Sequence, residues 1–161
     1  MSSQFPFKFR PRVKTTAIVI HSSHTKPEVE TVEDYLRVYG REMGLLEIGY
    51  HYVIERSGRT VCVREPGVLG SHTPGHNWYS IGICLSGGRN QETGLQEDNF
   101  LPVQLRAAAM LVDHLLGTFG ELRVVGHTEI QRYRNREMRC PEFDMSDFRA
   151  RLSMSHRGPD A

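Results

Sequence analysis

Two short apolar runs constrain the fold of this chain more than any other feature, and each ends on a histidine. Ala17-Ile18-Val19-Ile20 precedes His21, and Val124-Val125-Gly126 precedes His127. Both are rich in β-branched residues and bounded by polar positions, the pattern of a buried strand. A histidine closing such a strand sits at the rim of a sheet, where loops build sites. Two of them from different strands can converge, and Cys140, 13 residues after His127, can return to the same rim through a loop. Two imidazoles and one thiolate suit zinc, and three protein ligands leave a fourth position open, as catalytic zinc requires. The spacing alone is also compatible with plainer roles. A histidine at a strand end is often packed or solvated, Cys140 can serve as a small buried hydrophobe, and no C-x-x-C pair accompanies it.

The rest of the chain reads as alternating strands and helices. After Thr16–His21 comes the polar loop holding His24. Thr31 and Asp34 form a capping box for a helix with Val32, Tyr35, Leu36, Tyr39 and Met43 on one face, and Gly44 is its expected stop. Strands are expected over Tyr50–Arg56 and Arg59–Arg64, joined tightly at Ser57-Gly58. In the first of these, alternation puts Tyr50 and Tyr52 on one face and His51 and Val53 on the other. Pro66–Trp78 is loop, Ser80–Ser86 strand, and Arg89–Asn99 a long polar loop. Leu105, Ala108, Val112, Leu115 and Phe119 mark a helix beginning at Pro102, and Arg123–His127 is the last strand. Asp144 or Ser146 caps a final helix with Phe148 and Leu152 on one face. The expected fold class is mixed α/β, a central sheet flanked by helices. The expected organisation is one domain over residues 15–153, an irregular arm at 1–14 and a disordered tail at 154–161.

Composition narrows the function classes. The 161 residues suffice for one well-cored domain. A net charge of +1 offers no general attraction to nucleic acid or membrane. The basic clusters (Arg10, Arg12 and Lys14; Arg132, Arg134, Arg136 and Arg139) are short. Three cysteines argue against a disulfide framework and fit a reducing compartment. The N-terminus lacks the apolar region of a secretory signal, and no run approaches the ~20 apolar residues of a membrane span. The expectation is a protein made in the cytoplasm, most simply a monomer.

Several segments together resemble one family. They are Ala17 to Ser23, Ile48-Gly49-Tyr50-His51-Tyr52-Val53-Ile54, Gly70-Ser71-His72-Thr73-Pro74-Gly75-His76-Asn77, Ser80-Ile81-Gly82-Ile83-Cys84-Leu85, Gly126-His127-Thr128-Glu129-Ile130 and Cys140-Pro141. In order and approximate spacing, residues 16–152 resemble the zinc amidases of the peptidoglycan recognition protein superfamily, in particular the amidase-type lysozymes of short-tailed bacteriophages. The resemblance implies hydrolysis of the amide between N-acetylmuramic acid and the first L-alanine of the peptidoglycan stem peptide. It implies Zn2+ held by His21, His127 and Cys140, and a catalytic role for Tyr50, whose phenol can hydrogen-bond a developing oxyanion. It places His72 near a substrate groove, with Asn77, Trp78 and His76 as weaker candidates for its wall. Arg64 could meet a stem-peptide carboxylate. His24, His114 and His156 gain no support from it.

The chain departs from the family in one respect. Phage members carry a lysine two residues before the cysteine ligand, and here that position is Met138. The segment from His127 to Cys140 is also longer, and Arg136 or Arg139 from it could supply the missing charge, although an arginine fork is not a lysine point charge. Cys84 stands where some other members place a glutamate, which leaves the Tyr50 type of site. The implied setting is an endolysin, released from the host cytoplasm to reach the periplasmic murein at lysis. Two alternatives stay open: a peptidoglycan-binding module of low activity, kept in view by Met138, and a second partner, phage RNA polymerase, for which residues 1–14 would be the surface.

Overall fold

The computed structural model describes residues 10–40 and 48–152. Its sheet contains β1 (Ala17–Ser22), β2 (Tyr52–Ile54), β3 (Thr60–Cys62), β4 (Ser80–Leu85) and β5 (Arg123–Gly126), in the spatial order β3-β2-β4-β1-β5. The histidine-terminated runs are therefore neighbours. β1 lies between β4 and β5, parallel to both, with His21 opposite Cys84 and Ile20 opposite Gly126. β2 continues the parallel set beside β4, and only the β2–β3 hairpin is antiparallel. Parallel strands are covered on both faces, so they are apolar at every position instead of every second one. All six residues of β1 and all six of β4 are buried.

The helices are α1 (Val32–Tyr35), α2 (Pro102–Phe119), α3 (His127–Ile130) and α4 (Met145–Ala150). α2 and α4 cover one face of the sheet. Ala108, Val112 and Leu115 of α2 and Phe148 of α4 share a core with Ile18, Ile20, Ile81, Ile83 and Leu85. Full burial of one such aliphatic or aromatic side chain contributes about 1.5–3 kcal/mol, so this layer carries most of the stability. The other face holds a smaller cluster of Val32, Ile48, Val53 and Cys84, with Tyr35 and Tyr50 packed on it. Gln104 is fully buried at the start of α2. Its amide accepts from Leu101 N and donates to the Ser86 carbonyl at 2.9 Å, fastening the helix to the end of β4.

Several local expectations change. The capping box of Thr31 and Asp34 is present, but the α-helix ends at Tyr35 and continues as a π-helical turn over Leu36–Gly40. Met43 and Gly44 lie outside the described residues, as do 1–9 of the expected arm and all of 154–161. Residues 10–14 form no regular element, yet Pro11 bridges Val68 and Arg12 is only 8% exposed. The Arg12 guanidinium donates to the carbonyls of Val68, Ser80 and Pro66. What composition presented as a short basic cluster thus contains a buried strut.

Tyr50 precedes β2 instead of belonging to it, and the expected alternation fails there. Tyr52 packs on the α2 side, whereas Tyr50 packs with Val53 on the opposite side. The chain bends at Gly49, where a Cβ would come within 1.9 Å of the Ser71 carbonyl oxygen. Similarly, β5 stops at Gly126 and His127 opens α3. Gly126 N–H donates to Glu129 Oε2 at 2.8 Å, which starts a helical turn directly after the strand.

Candidate active site

His21 at the end of β1, His127 at the start of α3 and Cys140 in the following loop come together at one end of the sheet. Their donor atoms all lie within 4.8 Å of one another, and all three residues are buried. Cys140 Sγ is 3.9 Å from His21 Nδ1 and accepts from Ser22 N–H at 3.4 Å. Gly126 makes the approach possible, since a Cβ there would lie 2.8 Å from Met145 and 3.1 Å from Pro141. The bidentate pair of Arg149 with Glu129, both contacts 2.9 Å, secures α3 from outside.

Hydrogen bonds fix which ring nitrogens are available. Gln131 Nε2 donates to the Pro74 carbonyl, which can only accept. Its Oε1 therefore faces the other way, toward His127 Nε2 at 3.0 Å, and that nitrogen carries the hydrogen. Nδ1 is the atom left for a ligand. At His21, Nε2 lies 2.9 Å from His72 Nδ1 and 3.2 Å from Thr73 Oγ1, while Nδ1 faces Cys140. Both histidines thus commit their outer nitrogen to a partner, as metal-binding histidines do.

The electrostatics agree with the geometry. Burial alone would push the Cys140 thiol up, but hydrogen bonds with His127, His21 and His24 outweigh it and hold the thiol well below its usual range. A thiolate is the form that binds a metal. Burial lowers His21. At His127 burial is overcome by hydrogen bonds with Cys140 and Gln131, and the ring is raised. Two imidazoles and a thiolate with their donors on one side are a set that fits zinc.

Tyr50 sits with its ring 5.0 Å from that of His21. Burial first, then the neighbouring Cys84 and Tyr35, push its phenol well above the ordinary value, so it stays a donor. His72 is not on an open wall. It is buried behind His21, with its Nε2 unpartnered. Gly82 and Gly70 form its cradle, since a Cβ at either would come within 2.6 Å or 2.7 Å of the ring. Asn77 is likewise occupied with structure, its Oδ1 accepting from the backbone N–H groups of His72 and Thr73 at 3.0 and 2.9 Å. Arg64 spends its guanidinium on the carbonyls of Leu69 and Ile48. Trp78 is 62% exposed, and His76 contacts the Tyr79 hydroxyl. His114 is exposed on α2, and His156 is outside the described residues. Arg136 and Arg139 are exposed, and no hydrogen bond of the triad reaches either side chain.

Three residues at the site were not singled out from the sequence. His24, Tyr133 and Glu142 line the Cys140 side, with His24 Nδ1 2.7 Å from Glu142 Oε1 and the Tyr133 hydroxyl 3.1 Å from His127 Nδ1. Burial opposes charge on His24, but hydrogen bonds to Cys140 and Glu142 lift it to about 9. The available signals were weak: His24 three positions past His21, Glu142 beside Cys140-Pro141, and Tyr133 the only aromatic among the arginines of its loop.

Known proteins resemble this chain in sequence and in fold. Residues 11–143 match the family model of the N-acetylmuramoyl-L-alanine amidases. The chain is 34% identical over 138 residues to the endolysin of Enterobacteria phage T3, an alignment covering 86% of this chain and 87% of that relative. Among solved structures, the N-acetylmuramoyl-L-alanine amidase LysC from Clostridium intestinale URNW is similar with a TM-score of 0.70 and 20% identity, covering 95% of this chain and 96% of that one. Wild-type Drosophila PGRP-LB is similar with a TM-score of 0.63 and 22% identity, covering 87% and 82%. These two likenesses are of fold. With the family model spanning most of the chain and the phage relative matched over nearly its whole length, the protein belongs to the N-acetylmuramoyl-L-alanine amidase family.

Proposed function

We propose that this chain is a phage endolysin, a zinc-dependent amidase that cleaves peptidoglycan between N-acetylmuramic acid and L-alanine and so lyses the host. The observation that carries the reading is the meeting of His21, His127 and Cys140 in a chain of this family. When bound, zinc would supply Lewis-acid polarisation of the scissile carbonyl and hydroxide near neutral pH. The chain's own residues do the rest. Cys140 offers a thiolate that the surrounding imidazoles stabilise. Thr73 and His72 hold His21 with Nδ1 toward Cys140, and Gln131 holds His127 with Nδ1 free. Tyr50, kept protonated by burial, donates a hydrogen bond to the carbonyl oxygen as charge develops there.

The test is release of stem peptides from purified sacculi, with metal content measured on the same sample. The expected result is about one zinc per chain, rapid release, and loss of both in Cys140→Ala and His21→Ala. Peptide release by a chain free of zinc, or equal release by His21→Ala, would sink the metal assignment. Sacculi bound but left uncut by the zinc-loaded chain would leave a binding module.

A further inference from the structure

Each histidine of the triad is faced by a phenol. Tyr50 lies 5.0 Å from His21, and Tyr133 lies 5.0 Å from His127, ring to ring. Tyr133 comes from the loop between α3 and Cys140, is half-buried, and brings its hydroxyl to 3.1 Å from His127 Nδ1. That is the nitrogen left for a ligand, because Nε2 is committed to Gln131. The hydroxyl therefore stands next to the donor atoms themselves.

The hydroxyl is also held from behind. His24 Nε2 lies 3.5 Å from it, and the two rings meet edge to face at 6.1 Å. The other nitrogen of His24, Nδ1, is 2.7 Å from Glu142 Oε1. Glu142 is 7% exposed, and its second oxygen is buried with no partner. Gly88, at φ of 100°, lies against that carboxylate, and a Cβ there would be 2.5 Å from Glu142 Oε2. His24 adopts φ of 54°, a left-handed conformation uncommon for a non-glycine residue. A buried carboxylate with one oxygen unpartnered and a backbone in a rare conformation are costly features for a solvated loop. They are the features of a line of groups that aims one hydroxyl.

We propose that Tyr133 is a second catalytic hydrogen-bond donor, acting on the scissile carbonyl oxygen as it gains charge, and that His24 and Glu142 are positioning residues that hold its hydroxyl toward the triad. This rests on the amidase reading above. The Tyr133 ring reaches the site from the His127 side and that of Tyr50 from the His21 side, so the oxygen would be met by two phenols.

The experiment uses the zinc-loaded full chain and a soluble muramyl-pentapeptide as substrate, with bound zinc measured for every variant. Affinity for a phosphinate analogue of the scissile amide is measured in parallel. A wild-type chain without zinc or without cleavage defeats the underlying reading before any variant is compared. With an active wild type, Tyr133→Phe is expected to lower kcat by about a hundredfold, the loss typical of one oxyanion donor, with KM and zinc content unchanged. The same variant should weaken phosphinate binding by the factor lost in kcat/KM. His24→Ala should lower kcat by a smaller factor alone and by nothing further in the Tyr133→Phe background, since it acts through that hydroxyl. Wild-type kcat in Tyr133→Phe overturns the proposal, as does a loss of activity accompanied by loss of zinc. A His24→Ala effect that persists in full without the hydroxyl removes the positioning role.

Discussion

His21 stands between two groups of imidazoles whose pKa values move in opposite ways. On its Nε2 side, burial pushes His72 down to about 2 and, beyond it, His51 down to about 4. On its Nδ1 side, His24 is lifted to about 9 and His127 is raised, in both cases against burial. The difference lies in the partners. In the first group burial goes uncompensated and is reinforced by positive neighbours, Arg12 and Arg64 at His51 and the other imidazoles at His72, against which the Val68 carbonyl is too little. A thiolate and a carboxylate face the second group. One residue type thus does two jobs: neutral rings pack behind His21 on its Nε2 side, and His24, favoured as a cation, faces the negative groups on the other.

The ligand set gives the sharpest way to break this contrast. Cys140→Ala should abolish metal binding and cleavage, by at least about a hundredfold, because even outer partners of a ligating histidine are worth 10–100-fold. Thr73→Val removes one hydroxyl from the neutral side and keeps the volume. The expectation there is a loss of about tenfold in zinc affinity with the fold intact, read by competition with a chelator. If Thr73→Val matched Cys140→Ala, the division into ligands and orienting groups would be wrong.

Acid should attack the neutral side. His51 accepts from Gly82 N–H at Nδ1 and donates from Nε2 to the Val68 carbonyl, so a second proton would break the first bond. Its folded ring takes up a proton at about 4 and the free ring at 6.5. Between these values the unfolded chain binds more protons than the folded one. The contribution is therefore complete above the free-ring value and is lost as pH falls toward the folded one, by up to about 1.4 kcal/mol per pH unit. His72, depressed further, adds to the same slope. Urea unfolding at a series of pH values measures it, and His51→Asn should flatten the curve. An unchanged slope in that variant would place the acid sensitivity elsewhere.

Smaller effects should separate loop structure from chemistry. Asn77→Ala leaves two backbone N–H groups without their acceptor and should cost about 1–3 kcal/mol in thermal unfolding. Smallest of all is Met138→Lys, which restores the charge expected from the family resemblance. Met138 is half-buried in the loop carrying Tyr133, and an added surface charge is worth about 1 kcal/mol or less, roughly fivefold in rate. A much larger gain would mean that the site lacks a donor that Tyr133 does not provide.

Much of this protein was legible in residue order alone. The apolar runs before His21 and His127 read as buried strands because no polar position interrupts them, and the spacing from Leu105 to Phe119 specifies α2. The family segments named His21, His127, Cys140 and Tyr50 as one site. What sequence could not convey was the use of side chains whose partners are distant along the chain. Arg12 looks like a solvated charge until the carbonyls of Pro66, Val68 and Ser80 close around it. His72 and Asn77 belong to a motif that suggested a groove, yet glycines 70 and 82 admit the His72 ring behind His21.

The reason is physical. Strand and helix patterns follow from periodic burial, which each segment carries within itself. Meeting the hydrogen-bonding needs of a buried polar atom depends on whichever backbone or side chain the fold delivers, and His24, Tyr133 and Glu142 come from three separate places. Sequence by itself determined the main strands and the principal helix, and the family resemblance singled out His21, His127 and Cys140 as the candidate ligands. Only the tertiary structure decided which face of each ring is free, which histidines are neutral, and which second phenol stands beside His127.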